Sequence, residues 1–197
     1  MNILVFGKDG QLGKAFIEFF RKNAIFQSHV VRLVGRSECD LSRADQITDL
    51  LKNFQPDLII NAAAYTAVDK AETEANLAFA NNADAPKLMA KYAVSHGASL
   101  LHFSTDYVFD GNKQGAYTEV DQTNPLSVYG KSKEAGERAI VETFGAGANQ
   151  AGRYAILRTS WVYGDGGNFI RTILRLAKER PELKVIADQH GVPTSAD

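Results

Sequence analysis

A tyrosine and a lysine stand four residues apart in the stretch 124–133, which reads Asn-Pro-Leu-Ser-Val-Tyr-Gly-Lys-Ser-Lys. If this stretch begins a helix, Tyr129 and Lys133 lie one above the other on one face and point into the same site. A free tyrosine has a pKa near ~10, and an adjacent fixed cation favours the phenolate. The pair therefore predicts a phenol with a lowered pKa that exchanges a proton near neutral pH. The alternative is a half-buried ring and a solvated charge on an ordinary surface helix.

A glycine-rich turn follows the first apolar stretch of the chain. Asn2 to Phe6 is typical of a parallel strand buried on both faces, and residues 7–13 read Gly-Lys-Asp-Gly-Gln-Leu-Gly. An amphipathic helix is expected next, with its apolar face formed by Leu12, Phe16, Phe19 and Phe20. Such glycines let the backbone approach a pyrophosphate, and a helix N-terminus offers free N–H groups. Strand, turn and helix together predict dinucleotide binding, with a plain tight turn as the alternative.

The end of the second predicted strand, His29 to Val34, bears on the choice of dinucleotide. Folds specific for NAD usually carry Asp or Glu near this point to bind the ribose 2′-hydroxyl. This chain has Arg36 there, and a guanidinium suits a 2′-phosphate. The residue favours NADPH over NADH, with a solvated surface arginine as the alternative. Asp40 and Ser42 follow, and either can cap the next predicted helix.

Two further predicted strands end in residues suited to a ligand crevice. Asp57 to Ile60 runs into Asn-Ala-Ala-Ala-Tyr-Thr at 61–66, and small residues there let a ligand lie against the backbone. Ser99 to Phe103 delivers the hydroxyl of Thr105 and the carboxylate of Asp106; a turn cap and a loop residue are the alternatives. Elsewhere we expect a polar helix with a solvated face from Val68 to Glu72, a loop at 145–152, a strand at Tyr154 to Arg158, a helix at Phe169 to Leu176 and a short strand at Leu183 to Ala187.

The composition excludes several classes of function. The 197 residues suit one α/β domain or one domain with a piece of a second, and 45% hydrophobic and 23% charged residues are ordinary for a soluble globular protein. A net charge of −1 gives no footprint of a nucleic-acid binder, and no apolar run approaches the ~18 residues of a membrane span. The start of the chain reads as a strand rather than a signal peptide. With a single cysteine, Cys39, and no metal-ligand spacing among the histidines, we expect a cytoplasmic protein without a metal site.

Six motifs in this order resemble the extended short-chain dehydrogenase/reductase superfamily, which acts largely on nucleotide-linked sugars. They occupy residues 7–13, 61–72, 104–109, 128–133, 158–163 and 189–194. Within the superfamily the chain most resembles the dTDP-4-dehydrorhamnose reductases, over its whole length. The resemblance implies an α/β fold, a Rossmann-like doubly wound parallel sheet with helices on both faces. It places an NAD(P)-binding domain at 1–164, and at 165–197 the last part of that core and the beginning of an incomplete, smaller substrate domain.

The resemblance also implies roles for single residues. Tyr129, Lys133 and Thr105 would be catalytic, with Tyr129 as proton donor and Lys133 on the nicotinamide ribose. The residues expected to bind the cofactor are Gly7, Gly10, Gln11, Leu12, Gly13, Arg36, Asp40, Leu41, Ala62, Ala63, Ala64, Tyr65, Thr66, Tyr129 and Lys133. The substrate would meet Thr105, Asp106, Tyr129 and Trp161. Asn82 stands where the superfamily has a helix-bending asparagine, with polar surface as the alternative.

The activity that the resemblance implies is a reduction with NADPH. Its substrate would be a dTDP-linked 6-deoxy-4-keto sugar, dTDP-4-dehydro-6-deoxy-L-mannose, and its product dTDP-L-rhamnose for cell-surface polysaccharides. A dehydratase of this fold would carry an Asp-Glu pair after Thr105, whereas here Tyr107 follows Asp106. Epimerases usually lack an acid at the position of Asp106. A non-catalytic NADP-binding regulatory subunit is the alternative from another class, and a homodimer, a bridging Mg²⁺ and NADH as cofactor stay open.

Overall fold

The computed structural model describes residues 1–146, 152–185, 188–189 and 191–196. Its strands are β1 (Asn2–Phe6), β2 (Val30–Val34), β3 (Leu58–Asn61), β4 (Ser99–Thr105), β5 (Tyr154–Thr159), β6 (Val162–Tyr163) and β7 (Thr194–Ser195). Its helices are α1 (Gln11–Lys22), α2 (Ala44–Phe54), α3 (Val68–Ala71), α4 (Ala75–Phe79), α5 (Ala85–His96), α6 (Val128–Gly145) and α7 (Phe169–Glu179). Within these ranges no helix combines the length and the apolar character needed to cross a bilayer.

Strands β1 to β5 form one parallel sheet in the described part of the chain, in the order β2-β1-β3-β4-β5. Phe6 at the end of β1 lies opposite Val34 on one side and Asn61 on the other. The chain therefore leaves the middle of the sheet in opposite directions, toward β2 on one side and toward β3, β4 and β5 on the other. This is the doubly wound arrangement, in which a crevice forms where the connections diverge. The predicted fold class is confirmed.

The core lies on both faces of this sheet because successive side chains of a strand point to opposite sides. Leu4 and Phe6 of β1 join a layer formed with α2 and α5, whose fully buried members include Ile47, Ile59 and Met89. Ile3 and Val5 point the other way, toward Phe16, Phe20 and Phe26. Burial of each large apolar side chain contributes roughly 1.5–3 kcal/mol. The two layers thus fix the sheet between helices and leave its carboxyl edge to the site.

The polar helix predicted to begin at Val68–Glu72 is short, and a second short helix follows it. Helix α3 has four residues and α4 five, and a π-helical turn, Ala80–Asp84, joins α4 to α5. The expected solvated face is confirmed, because Asp69, Lys70 and Glu72 are exposed. Glu72 also has a structural contact, since its Oε1 accepts a hydrogen bond of 2.8 Å from the backbone N–H of Val128. That contact ties this segment to the first residue of α6.

Three predicted boundaries need correction. Helix α2 begins at Ala44, and Asp40 does not cap it, because its carboxylate accepts from the N–H and the hydroxyl of Ser42 at 2.9 and 2.8 Å. Strand β4 extends two residues beyond Phe103 and so includes Thr105. Residues 183–185 are not strand, and 186–187 lie outside the described residues, as do 147–151 of the predicted loop and His190.

Candidate functional site

A crevice of about 710 Å³ opens at the carboxyl ends of β1, β3 and β4. Its volume is within the roughly 300–1,000 Å³ of small-molecule sites, and it lies where the connections of the sheet diverge. The predicted cofactor residues that line it are Gly7, Gly10, Gln11, Leu12, Arg36, Leu41, Ala62, Ala63, Ala64, Tyr65, Thr66, Tyr129 and Lys133. Gly13 and Asp40 do not line it. The structure therefore gathers most of the predicted set around one space.

The three glycines of the turn have different tasks. Gly7 has a φ of +94°, and a Cβ there would lie 2.8 Å from the Ala62 carbonyl, so β1 and β3 meet backbone to backbone. A Cβ at Gly13 would overlap the Gly7 carbonyl oxygen, so the absence of a side chain at Gly13 lets α1 pack closely against the turn. A Cβ at Gly10 would meet that oxygen at 3.4 Å and otherwise open space among the described residues. Gly10 thus leaves room in front of the N-terminus of α1, which no described side chain caps.

Alanine substitutions are expected to separate the two tasks. Gly13→Ala should lower the free energy of unfolding by about 2 kcal/mol, because overlap with backbone outweighs the roughly 1 kcal/mol of helix propensity that alanine brings. Gly10→Ala should leave that free energy within about 0.5 kcal/mol and weaken NADPH binding at least about tenfold. Urea unfolding and NADPH titration measure the two quantities. Equal loss of stability in both variants would contradict the assignment.

The end of β2 carries an arginine and also an acid that the sequence argument passed over. The Arg36 side chain is 70% exposed and lies 3.5 Å from Asp40. The Glu38 carboxylate accepts from the Gly35 N–H at 2.8 Å and pairs with Lys8. The hydrogen bond from Lys8, followed by that from Gly35, lowers the pKa of Glu38. Glu38 is thus engaged by protein groups, whereas the guanidinium of Arg36 is accessible on the crevice wall.

The loop after β3 is held in place by a buried asparagine. Asn82 is fully buried in the π-helical turn; its Oδ1 accepts from the Tyr65 N–H at 2.8 Å and its Nδ2 donates to the Tyr65 carbonyl at 3.0 Å. The same Nδ2 lies 2.9 Å from the hydroxyl of Ser132 on α6. The asparagine interpretation thus proves better than polar surface. Asn82 fixes the crevice loop against the helix that carries Tyr129 and Lys133.

Helix α6 begins at the crevice with two caps. The Ser127 hydroxyl accepts from the Gly130 N–H at 3.1 Å, and Glu72 accepts from the Val128 N–H. Capping and the negative charge of Glu72 both suit a helix N-terminus. Tyr129 and Lys133 follow on one face of α6, 8% and 2% exposed, and both reach the crevice. The predicted juxtaposition is confirmed.

The electrostatics of the pair differ from the prediction. Lys133 Nζ donates to the Phe103 carbonyl at 2.7 Å, and burial lowers the pKa of Lys133 to about 8, although the charge of Glu137 acts in the opposite direction. Burial raises the pKa of Tyr129 above its ordinary value, and hydrogen bonding with Thr105 offsets this only in part. The predicted lowering of the Tyr129 pKa by Lys133 is wrong here, because the amino group is directed to a backbone carbonyl and desolvation dominates.

Thr105 and Asp106 stand together beside Tyr129. Thr105 Oγ1 donates to Asp106 Oδ1 at 3.0 Å and accepts from the Tyr107 N–H at 3.3 Å. The Tyr107 ring packs edge-on against the Tyr129 ring, with 5.6 Å between centroids. Burial raises the pKa of Asp106, more than its hydrogen bonds lower it. The predicted substrate residues Thr105, Asp106 and Tyr129 thus form one cluster at the end of β4.

Trp161 stands apart from this cluster. It is 49% exposed, has a φ of +45° and packs on Gly191, and it does not line the crevice. The structure therefore leaves its predicted contact with substrate untested. Among the described residues, no group of three or more His, Cys, Asp or Glu side chains is placed to hold a metal ion, so the Mg²⁺ alternative gains no support here.

Fold and site together define the class. The protein is a doubly wound α/β protein of the short-chain dehydrogenase/reductase type, with its tyrosine and lysine at the diverging edge of the sheet. More narrowly, the chain belongs to the RmlD substrate binding domain family, whose model matches residues 1–197.

Curated relatives and solved structures agree with this membership. The chain is 47% identical to the dTDP-4-dehydrorhamnose reductase of Shigella flexneri and 45% identical to that of Escherichia coli K12, and it spans 64% of the length of each. It resembles a crystal structure of the Clostridium acetobutylicum dTDP-4-dehydrorhamnose reductase with a TM-score of 0.89 at 39% identity, covering 100% of this chain and 66% of that one. The Bacillus anthracis dTDP-4-dehydrorhamnose reductase in complex with NADP gives 0.85 at 36%, covering 99% and 66%.

Proposed function

We propose that the protein carrying this chain uses NADPH to reduce the C4 keto group of dTDP-4-dehydro-6-deoxy-L-mannose, giving dTDP-L-rhamnose. The observation that carries the proposal is the position of Tyr129 and Lys133 on the wall of the crevice that the glycine turn opens. The relatives named dTDP-4-dehydrorhamnose reductase supply the substrate class. Since the chain spans just under two thirds of those relatives, activity, substrate and cofactor are proposals for the whole protein.

Several features of the crevice fit a dinucleotide. The uncapped N-terminus of α1 and the open space at Gly10 suit a pyrophosphate. The hydroxyl of Ser104, which is buried and has no hydrogen-bond partner among the described residues, lines the crevice and could bind a polar group of the ligand. Arg36 is exposed on the crevice wall, and its guanidinium would suit a 2′-phosphate, which supports NADPH over NADH. The structure of the Bacillus anthracis relative in complex with NADP supports the same cofactor.

The residues at the end of β4 and the start of α6 would handle the proton. When bound, NADPH supplies a hydride to the carbonyl carbon. Tyr129, whose raised pKa keeps its hydroxyl protonated at neutral pH, would donate that proton to the carbonyl oxygen as charge develops there. The Thr105 hydroxyl beside it would stabilise the same oxygen, an effect typically worth a few kcal/mol. Lys133 would bind the nicotinamide ribose.

We assign the sugar site to Asp106 and Trp161, which do not line the crevice themselves. Asp106 adjoins Thr105 and would accept a hydrogen bond from a sugar hydroxyl, and Trp161 would pack on the sugar ring. We assign residues 1–164 to cofactor binding, and residues 165–197 to the end of that core and the start of the substrate domain. Trp161 is 49% exposed, which leaves part of its ring surface open to a ligand.

The experiment that tests this function is oxidation of NADPH by the full-length protein supplied with dTDP-4-dehydro-6-deoxy-L-mannose. We expect turnover that requires the sugar nucleotide and is slower with NADH at equal concentration. Arg36→Ala should lower turnover with NADPH toward the rate with NADH, while the rate with NADH itself stays unchanged. Saturable NADPH binding without oxidation would reject the reductase and favour a regulatory subunit of the same fold.

A further inference from the structure

A histidine is buried directly behind the lysine of the site. His102 on β4 is 0% exposed, with its Nδ1 3.0 Å from Asn61 Nδ2 and its Nε2 3.4 Å from Lys133 Nζ. Asn61, also 0% exposed, lies opposite His102 in the register of β3 and β4. Its Oδ1 accepts from the Ala63 N–H at 3.3 Å, on the wall of the crevice. A continuous polar path therefore runs from the crevice loop through the core to Lys133.

The donors and acceptors along this path do not all match a charged lysine. Burial lowers the pKa of His102 well below its ordinary range, so the ring is neutral and offers one donor and one acceptor nitrogen. Asn61 directs its NH₂ group at Nδ1, which makes Nδ1 the acceptor and places the proton on Nε2. Nε2–H then faces Lys133 Nζ, and only an uncharged amine can accept that hydrogen bond.

A charged Lys133 requires a different arrangement of the same groups. The ammonium donates to Nε2, so the ring proton moves to Nδ1 and Asn61 must present its Oδ1 to accept it. Turning the amide in this way withdraws Oδ1 from the Ala63 N–H. That N–H is then free to donate to a ligand in the crevice.

We propose that His102 is a positioning residue that couples the protonation of Lys133 to the orientation of the Asn61 amide, and thereby to the Ala63 N–H in the crevice. This inference deepens the proposed function. It rests on that function in one respect, the role of Lys133 in the crevice. Within the described residues, the charge that acts on Lys133 is that of Glu137 on α6, which pairs with Arg158 of β5 at 2.6 Å, and the titratable group in contact is His102 on β4. Tyr129 lies one helical turn before Lys133.

The direct test is ¹⁵N NMR of the imidazole rings of the full chain, titrated from neutral to alkaline pH. The His102 signals are assigned from their loss in His102→Gln, and exposed His96 serves as an internal reference. We expect the His102 proton to move from Nδ1 to Nε2 with a midpoint near the pKa of Lys133, about 8. In Lys133→Met the proton should stay on Nε2 throughout. One tautomer across the whole range in the wild type, or a tautomer change that persists in Lys133→Met, would overturn the proposal.

A pair of variants tests the consequence for function. Glutamine places an amide near the position of Nε2, whereas leucine in His102→Leu leaves Lys133 with no partner there. We expect His102→Leu to lower kcat for NADPH oxidation by about tenfold and to shift the alkaline limb of its pH profile, with most of the activity and the limb restored in His102→Gln. Equal pH profiles of kcat in His102→Leu and His102→Gln would reject the positioning role of His102 but not the reductase activity. If the wild type does not oxidise NADPH, the reductase activity is rejected. The coupling of His102 to Lys133 is still tested, because the NMR titration does not depend on activity.

Discussion

Replacing Tyr129 by phenylalanine is expected to reduce kcat for NADPH-dependent reduction by about 10²- to 10⁴-fold, the range found when a general acid is removed. The Tyr129 hydroxyl lies on the crevice wall next to Thr105, and burial raises its pKa, so it holds a proton to donate. The ring and its edge-on contact with Tyr107 stay in place, so NADPH binding should change less than twofold. Steady-state rates and NADPH titration measure the two effects.

The matched control for this substitution is Tyr92→Phe. Tyr92 stacks on His96 at the far end of α5, with 4.1 Å between ring centroids, and does not line the crevice. The control removes the same chemical group, a phenolic hydroxyl. Because that hydroxyl lies away from the crevice, kcat should remain at the wild-type value. A Tyr129→Phe variant that keeps more than about a tenth of wild-type kcat would show that another group donates the proton.

Replacing Arg158 by methionine is expected to lower the free energy of unfolding by about 3 kcal/mol. Arg158 on β5 donates to both carboxylate oxygens of Glu137 on α6, at 3.0 and 2.6 Å, and its guanidinium also lies 4.9 Å from the Phe109 ring. The Glu137 side chain is only 7% exposed. Without the arginine its carboxylate remains buried and unpaired, and that penalty exceeds the apolar area that methionine recovers. Urea unfolding of both proteins gives the difference.

Arg138→Met on the same helix is the control for the ion pair. Arg138 is 61% exposed and lies 3.4 Å from Glu134, and surface pairs of this kind contribute roughly 0–1 kcal/mol. Its loss should therefore change the free energy of unfolding by less than about 1 kcal/mol. Equal losses in the two variants would show that burial of Glu137 is not what makes the Arg158 pair important.

The sequence was sufficient where local pattern determines structure. The run Ile3–Phe6 in β1 predicted a buried parallel strand because a strand covered on both faces is apolar at successive positions. The spacing of Tyr129 and Lys133 placed them on one face of α6 because the helical period is fixed. The glycine turn predicted the crevice, since Gly7 and Gly13 are required by backbone contacts that a Cβ would prevent.

The remainder depended on contacts between distant segments. Glu72 was predicted to be a solvated charge and is exposed, but its contact with the N-terminus of α6, 56 residues away, arises only from the fold. The lowered pKa predicted for Tyr129 assumed that the charge of Lys133 is directed at its hydroxyl. In the structure the Lys133 amino group donates to the Phe103 carbonyl, and burial raises the pKa of Tyr129. The spacing of His102 from the other histidines did not fit a metal site, so nothing in the sequence indicated that His102 has a role near the crevice. Its position between Asn61 and Lys133 follows from strand register, which a single sequence does not specify.

The most direct test of the central claim is to follow deuterium from NADPH labelled at the transferable position of the nicotinamide. The full-length protein, incubated with dTDP-4-dehydro-6-deoxy-L-mannose, should form dTDP-L-rhamnose carrying the label on C4, as read by mass spectrometry and NMR. This would show that the crevice places the reductant and the sugar carbonyl together. Sugar that remains unreduced while NADPH is bound, or product without deuterium on C4, would contradict the proposed reduction.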